Sequence, residues 1–244
     1  MRMVEHLEEW GTLFFRRRGS LPSLIMLPVL FLSLADYRNP FGSHTWDLAW
    51  ELICFLIALA GLALRVVVSG TVPEGTSGRN TEQRADELNT TGIYSIVRHP
   101  LYVGNFLIAL GVAMQPRVWY VPLIAALVFA LYYERIIVAE EAYLDRKFGA
   151  AFRNWAGAVP IAIPKWRAYQ PSQLPFSARA ALRREFYGLC AIIAAFFVLD
   201  LLEDLVEYHR LRFDLFWTPL FLLALVGFFV LRSLKHKTEW LRRY

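Results

Sequence analysis

Apolar residues in this chain come in unbroken blocks of helical length, and that feature restricts the fold more than any other. Six blocks stand out, at about 21–37, 46–70, 100–115, 118–138, 186–207 and 213–234. A helix needs about 20 apolar residues to cross roughly 30 Å of hydrocarbon, and most of the blocks reach that length. The third, bounded by Pro100 and Pro116, is short and reads as a re-entrant or tightly hairpinned helix. A barrel would need period-two alternation, which is missing. The composition agrees, with 57% hydrophobic and 19% charged residues, against about one half and one quarter in soluble domains. The expected fold class is all-α, a polytopic helical membrane protein with about six transmembrane helices.

Charge placement orients those helices. With the N-terminus inside, the cytoplasmic pieces hold twenty-one of the twenty-six basic residues, while the outer pieces hold Arg38, Arg117, Arg210 and Arg212. Arg65 lies inside the second block. Such asymmetry predicts both termini in the cytoplasm. A sequence pI near 9.3 then reflects orientation and contact with anionic lipid heads, and no nucleic-acid partner is expected. The basic-then-apolar start at Arg16–Arg18 also resembles a signal peptide. No small-x-small cleavage site follows, so it reads as a first anchor. Cys54 and Cys190 each sit within an apolar block, and the five histidines are scattered, so neither a disulfide framework nor a metal site is expected.

Three regions follow from this layout. Residues 1–71 carry helices one and two. Residues 72–166 form a core of cytoplasmic loop, helical hairpin and amphipathic helix, and residues 167–244 add two further spans. Leu144, Phe148, Phe152 and Trp155 fall at helical spacing, giving an apolar stripe that can lie on the bilayer or pack on the bundle. The hairpin of spans three and four brings its two flanking cytoplasmic segments together, and both hold unusual residues. Arg98, His99 and Pro100 open span three, where proline suits a first helical turn and pushes His99 toward extended backbone. Their amides are thereby available to a ligand, although a plain interfacial helix start explains the same residues. Glu140 and Glu141 follow span four, and Glu134 and Arg135 interrupt its end, where charge is costly. All four also fit a solvated or snorkelling helix end. Asp200, Glu203, Asp204 and Glu207 gather at the outer end of span five, as a solvated terminus, a substrate entrance or an oligomer contact.

Taken together, "GIYSIVRHPLYVG" and "EEAYLDRKFGAAFRNWAGAVP" resemble the isoprenylcysteine carboxyl methyltransferase family and its phospholipid methyltransferase relatives. The matching positions are Gly92, Tyr94, Arg98, His99, Pro100, Tyr102, Gly104, Glu140, Glu141, Leu144, Phe148, Gly149, Val159 and Pro160, with Phe152 in place of a common tyrosine. The resemblance covers roughly residues 86–162. It implies an integral membrane methyltransferase using S-adenosylmethionine, bound from the cytoplasm. Carried over residue by residue, it implies a cofactor pocket lined by Glu87, Leu88, Asn89, Tyr94, His99, Pro100, Leu101, Tyr102, Glu140 and Glu141. A carboxylate suits the cofactor's ammonium, and aromatic faces suit its sulfonium.

The acceptor implied is a lipid or lipidated molecule in the bilayer. An ionised carboxylate or phosphate needs no base, whereas an amine does. Arg98, Arg135 and Glu134 are the candidate catalytic residues, and Arg135, as a clamp for an anionic acceptor, tilts the reading slightly toward O-methylation. Glu134 serves equally well for an amine, which keeps phospholipid N-methylation as an alternative. A membrane reductase using NADPH and a non-catalytic scaffold are the competing classes.

Overall fold

A computed structural model describes residues 3–19, 21–37, 44–73 and 85–237. These residues form eight α-helices, in order α1 (Met3–Arg16), α2 (Leu21–Ser33), α3 (His44–Thr71), α4 (Pro100–Met114), α5 (Tyr120–Phe148), α6 (Ala150–Ala158), α7 (Ala178–Tyr208) and α8 (Trp217–Lys237). Among the described residues there is no strand beyond one isolated pairing of Gly92 with Gln170. Each apolar block has become a helix, and the chain is a helical membrane protein. Among the described residues three helices, α3, α5 and α8, are long and apolar enough to cross a bilayer. α2 and α4 have 13 and 15 residues, about 20 to 23 Å of helix, which falls short of the hydrocarbon thickness. α7 has 31 residues, but Arg183, Arg184 and Glu185 near its start and the acids from Asp200 onward confine its apolar stretch to the middle.

α3 is the hub, packed against α4 on one side and α7 on the other. Cys54, Phe55, Ala58 and Leu62 of α3 meet Ile192, Ile193, Phe196 and Phe197 of α7, with Trp217 of α8 closing the cluster. Burying such side chains supplies the packing that a lipid solvent leaves to van der Waals contact. α8 adds Leu220, Phe221 and Ala224 to this cluster, and Leu222, Leu223, Val226, Phe229 and Val230 stay exposed on it as a lipid-facing surface.

Three features depart from the sequence reading. α1 was not foreseen. Phe14 and Phe15 anchor it on α5, where Phe14 stacks on Tyr132 at 4.9 Å and Tyr132 donates its hydroxyl to the Phe14 carbonyl. The amphipathic segment is not one helix either. α5 runs on without interruption to Phe148, and the break comes at Gly149, whose φ of 54° no other residue type adopts cheaply. α6 then turns back, burying Phe152 and donating the Trp155 indole N–H to the Tyr94 carbonyl at 3.1 Å. The stripe packs on the bundle. Finally, Glu203 is no solvated helix terminus. It is buried and bonded to Arg117, which also pairs with Asp47 and donates to the Tyr37 hydroxyl oxygen, so this cation clamps α3 and α7 at the end away from the Arg98 loop.

Residues 159–177 form a strap over the Arg98 loop. The amides of Arg98 and His99 donate to the carbonyls of Pro160 and Ile161, at 2.8 and 3.3 Å. Lys165 N–H reaches the Ile96 carbonyl, and Ser177 N–H reaches Gly70 at the end of α3. The backbone donors expected to face a ligand at Arg98 and His99 are therefore engaged by the strap. Ser177 then caps α7, accepting from the Ala180 amide.

Candidate active site

α4 begins at Pro100, with His99 as its N-cap residue, and the chain returns antiparallel in α5. Side chains three apart on α4 therefore meet side chains seven apart on α5, both spacings lying on one helix face. Tyr102 donates its hydroxyl to Glu140 at 2.7 Å, and Asn105 donates to the Tyr133 hydroxyl oxygen at 3.0 Å. These two bonds fix the register of the hairpin at its loop end.

The imidazole of His99 is only 7% exposed and sits between both glutamates. Its Nε2 lies 2.9 Å from Glu141 and its Nδ1 3.6 Å from Glu140. Burial alone would lower its pKa, but the hydrogen bonds to Glu140 and Glu141 outweigh burial and raise it to about 8. Glu141 is shared with Arg98, whose Nη1 stands 2.9 Å away. His99 and Tyr102 stack at 5.5 Å with planes 11° apart, and Tyr133 packs against Tyr102 at 4.7 Å. Burial pushes the Tyr94 hydroxyl pKa up, and the charge of Glu140 adds to this while those of Arg65 and Arg184 oppose it. The result is one cluster of carboxylates, cations and stacked rings at the end of the hairpin.

The structure brings Tyr94, Arg98, His99, Tyr102, Glu140 and Glu141 together. Pro100 is buried and Leu101 half-buried in the first turn of α4, below the imidazole. Glu87 is exposed and Leu88 and Asn89 are half-buried on the segment leading into Gly92. Glu134 and Arg135 lie elsewhere. They pair with each other at 3.5 Å, Arg135 also donates to the Leu131 carbonyl, and the Glu134 side chain is 65% exposed.

Sequence reasoning missed the deeper half of the cluster. Arg65 donates through Nε and Nη2 to Glu185, at 2.9 and 3.0 Å, and through Nη1 to Asn105 at 2.6 Å. Ser69 adds a 2.7 Å bond to Glu185. Asn105 and Tyr133 therefore join the Glu140 cluster to a buried ion pair between α3 and α7. A signal existed. Arg65 and Glu185 are opposite charges about two turns from the helix ends that meet at Gly70 and Ser177, and charge at such depth is seldom idle. Among the described residues, no group of three or more His, Cys, Asp or Glu is placed to hold a metal ion.

Comparison with known proteins adds the following. The phospholipid methyltransferase family matches residues 52–151, which span most of α3, the Arg98 loop, α4 and α5. A cobalt-zinc-cadmium resistance protein of Cupriavidus metallidurans is 30% identical over 67% of this chain and 76% of its own. The protein-S-isoprenylcysteine O-methyltransferase of Schizosaccharomyces pombe is 42% identical over 32% of this chain and 33% of its own. A methanethiol S-methyltransferase of Bradyrhizobium diazoefficiens is 31% identical over 59% of this chain and 57% of its own. No solved structure matches the chain.

Proposed function

Because the chain belongs to the phospholipid methyltransferase family of membrane proteins, we propose that it methylates an acceptor held in the bilayer, using S-adenosylmethionine and favouring oxygen over nitrogen. The acceptor class is a lipid or lipidated molecule. The observation that carries this reading is the Glu140 carboxylate, set by Tyr102 and His99 at the end of a stack of aromatic rings. Those residues suit a ligand with an ammonium, a sulfonium and a flat base. Glu140 offers a charge-assisted partner to the ammonium, and the faces of Tyr94 and Tyr102 favour a cation. When bound, S-adenosylmethionine would supply an electrophilic methyl group that needs no metal.

The chain's own residues then have three tasks. Arg98 and Glu141 hold the imidazole of His99, which in turn holds Glu140. α6 and the strap cover the loop and keep water from the reacting atoms, which strengthens every charge interaction inside. The packed helices align acceptor against donor, and alignment is most of what such a displacement requires.

The engagement of the acids favours an acceptor that arrives already ionised. Glu140 is bonded to Tyr102, Glu141 to Arg98 and His99, and Glu185 to Arg65. His99, with its pKa raised to about 8, is largely protonated at neutral pH and is no base. An amine acceptor would need one of these groups to take its proton.

Calorimetric titration of the purified full chain tests the reading. Saturable S-adenosylmethionine binding is expected, with affinity lowered about tenfold to a hundredfold in Glu140→Gln, the loss typical of a charge-assisted hydrogen bond. Saturable NADPH binding without an S-adenosylmethionine signal would sink it in favour of a reductase.

A further inference from the structure

α7 lies beyond the region matched by the family, yet it supplies the deepest acid of the site. Glu185 grips Arg65 with both carboxylate oxygens and is itself held by Ser69. The Arg65 side chain passes across Gly104, where a Cβ would sit 2.6 Å from its Cγ, so this glycine leaves the channel that lets the guanidinium reach Asn105. Exposure is asymmetric within the pair. The Glu185 side chain is 6% exposed, whereas that of Arg65 is 20% exposed. Three of the five guanidinium N–H groups are used, one on Asn105 and two on Glu185, leaving the second hydrogen on each terminal nitrogen.

An ion pair kept only for stability has no use for an accessible cation, since apolar residues of similar volume serve at least as well. Arg65 is also linked to Glu140, through Asn105, the Tyr133 ring and Tyr102. We infer that Arg65, fixed by Glu185 of α7, is the anion-recognising residue of the site and takes a carboxylate or phosphate from one of its two ligands. α7 is thereby part of the binding site rather than an appendage to it. Glu185 is a positioning residue, acting through Arg65 by holding the fork in plane and preventing it from snorkelling to water. The inference rests on the methyl-donor reading for the identity of the ligands but not for the existence of the anion site.

Two sources present such an anion, the carboxylate of the donor and the headgroup of the acceptor. The full chain in lipid nanodiscs separates them, with S-adenosylmethionine, its decarboxylated analogue and dodecyl phosphate as probes. If Arg65 reads the donor, Arg65→Gln weakens S-adenosylmethionine at least about tenfold and leaves the decarboxylated analogue within about twofold. If it reads the acceptor, S-adenosylmethionine is unchanged and dodecyl phosphate loses at least about tenfold. Either result supports the assignment, and Glu185→Gln should follow Arg65→Gln in the same direction. Should single variants fail to fold, the double variant Arg65→Met with Glu185→Met removes both charges and is expected to fold while losing the same discrimination. A folded variant that binds S-adenosylmethionine and dodecyl phosphate as the wild type does overturns the inference. So does wild-type protein that binds neither probe. Wild-type protein that binds dodecyl phosphate through Arg65 but no S-adenosylmethionine overturns the methyl-donor reading alone and leaves the anion site standing.

Discussion

His99 sits between two carboxylates, and the sign of its pKa shift fixes a pH response. Its folded pKa is raised from 6.5 to about 8. The stability it contributes is therefore fully present below pH 6.5 and lost as pH rises through 8, with an upper size of about 2 kcal/mol. The thermal midpoint of the wild type should fall across that window, and more steeply than that of His99→Gln. A wild-type midpoint indifferent to pH between 6 and 9 would remove the imidazolium from between the glutamates. At this scale the sequence was informative wherever the residues stood in one short motif. Arg98, His99, Tyr102, Glu140 and Glu141 all lie within two stretches joined by a hairpin, and the hairpin brings them together. Arg65 and Glu185 lie 120 positions apart, and nothing local in either stretch names the other as its partner. The strap's hold on the Arg98 and His99 amides was equally hidden, because backbone pairing between two loops leaves no trace in side-chain pattern.

Between elements, the decisive contact is the close crossing of α3 and α4. A Cβ on Gly111 would meet the Cys54 carbonyl oxygen at 2.5 Å and the Ala58 amide nitrogen at 2.8 Å, both of them backbone that cannot swing aside. Gly111→Ala should therefore push the helices apart and cost about 1 to 3 kcal/mol. Gly227→Ala, where the added carbon meets nothing within 4 Å, should leave stability unchanged or slightly improved. Thermal unfolding in detergent compares the two, and equal midpoints would contradict the packing described. Helix starts and lengths were readable where proline or an apolar block marked them, as at Pro100. The continuity of α5 past Glu140 was not, since its apolar run ends there while the helix runs on to Gly149. α1 escaped because its apolar face is covered by α5, a partner more than a hundred residues away.

Across the whole molecule, the Arg98 loop, the strap and α6 gather at one end of the bundle, and Arg117 with Asp47 and Glu203 closes the other. From the excess of basic residues at the first end, we propose that it faces the cytoplasm. Trp166 on the strap and Trp119 before α5 are both exposed. In a background without Cys54 and Cys190, Trp166→Cys should react with a membrane-impermeant maleimide from the cytoplasmic side only, and Trp119→Cys from the opposite side only. Labelling of both from one side would require a different topology. The ion pair that spans α3 and α7 also carries a rule of inheritance. A chain cut after α6 keeps every residue of the Arg-His-Pro and Glu-Glu motifs but leaves the Arg65 guanidinium without its carboxylate partner. Relatives built without α7 are expected to bear a neutral side chain at that place or to recruit an acid from another helix.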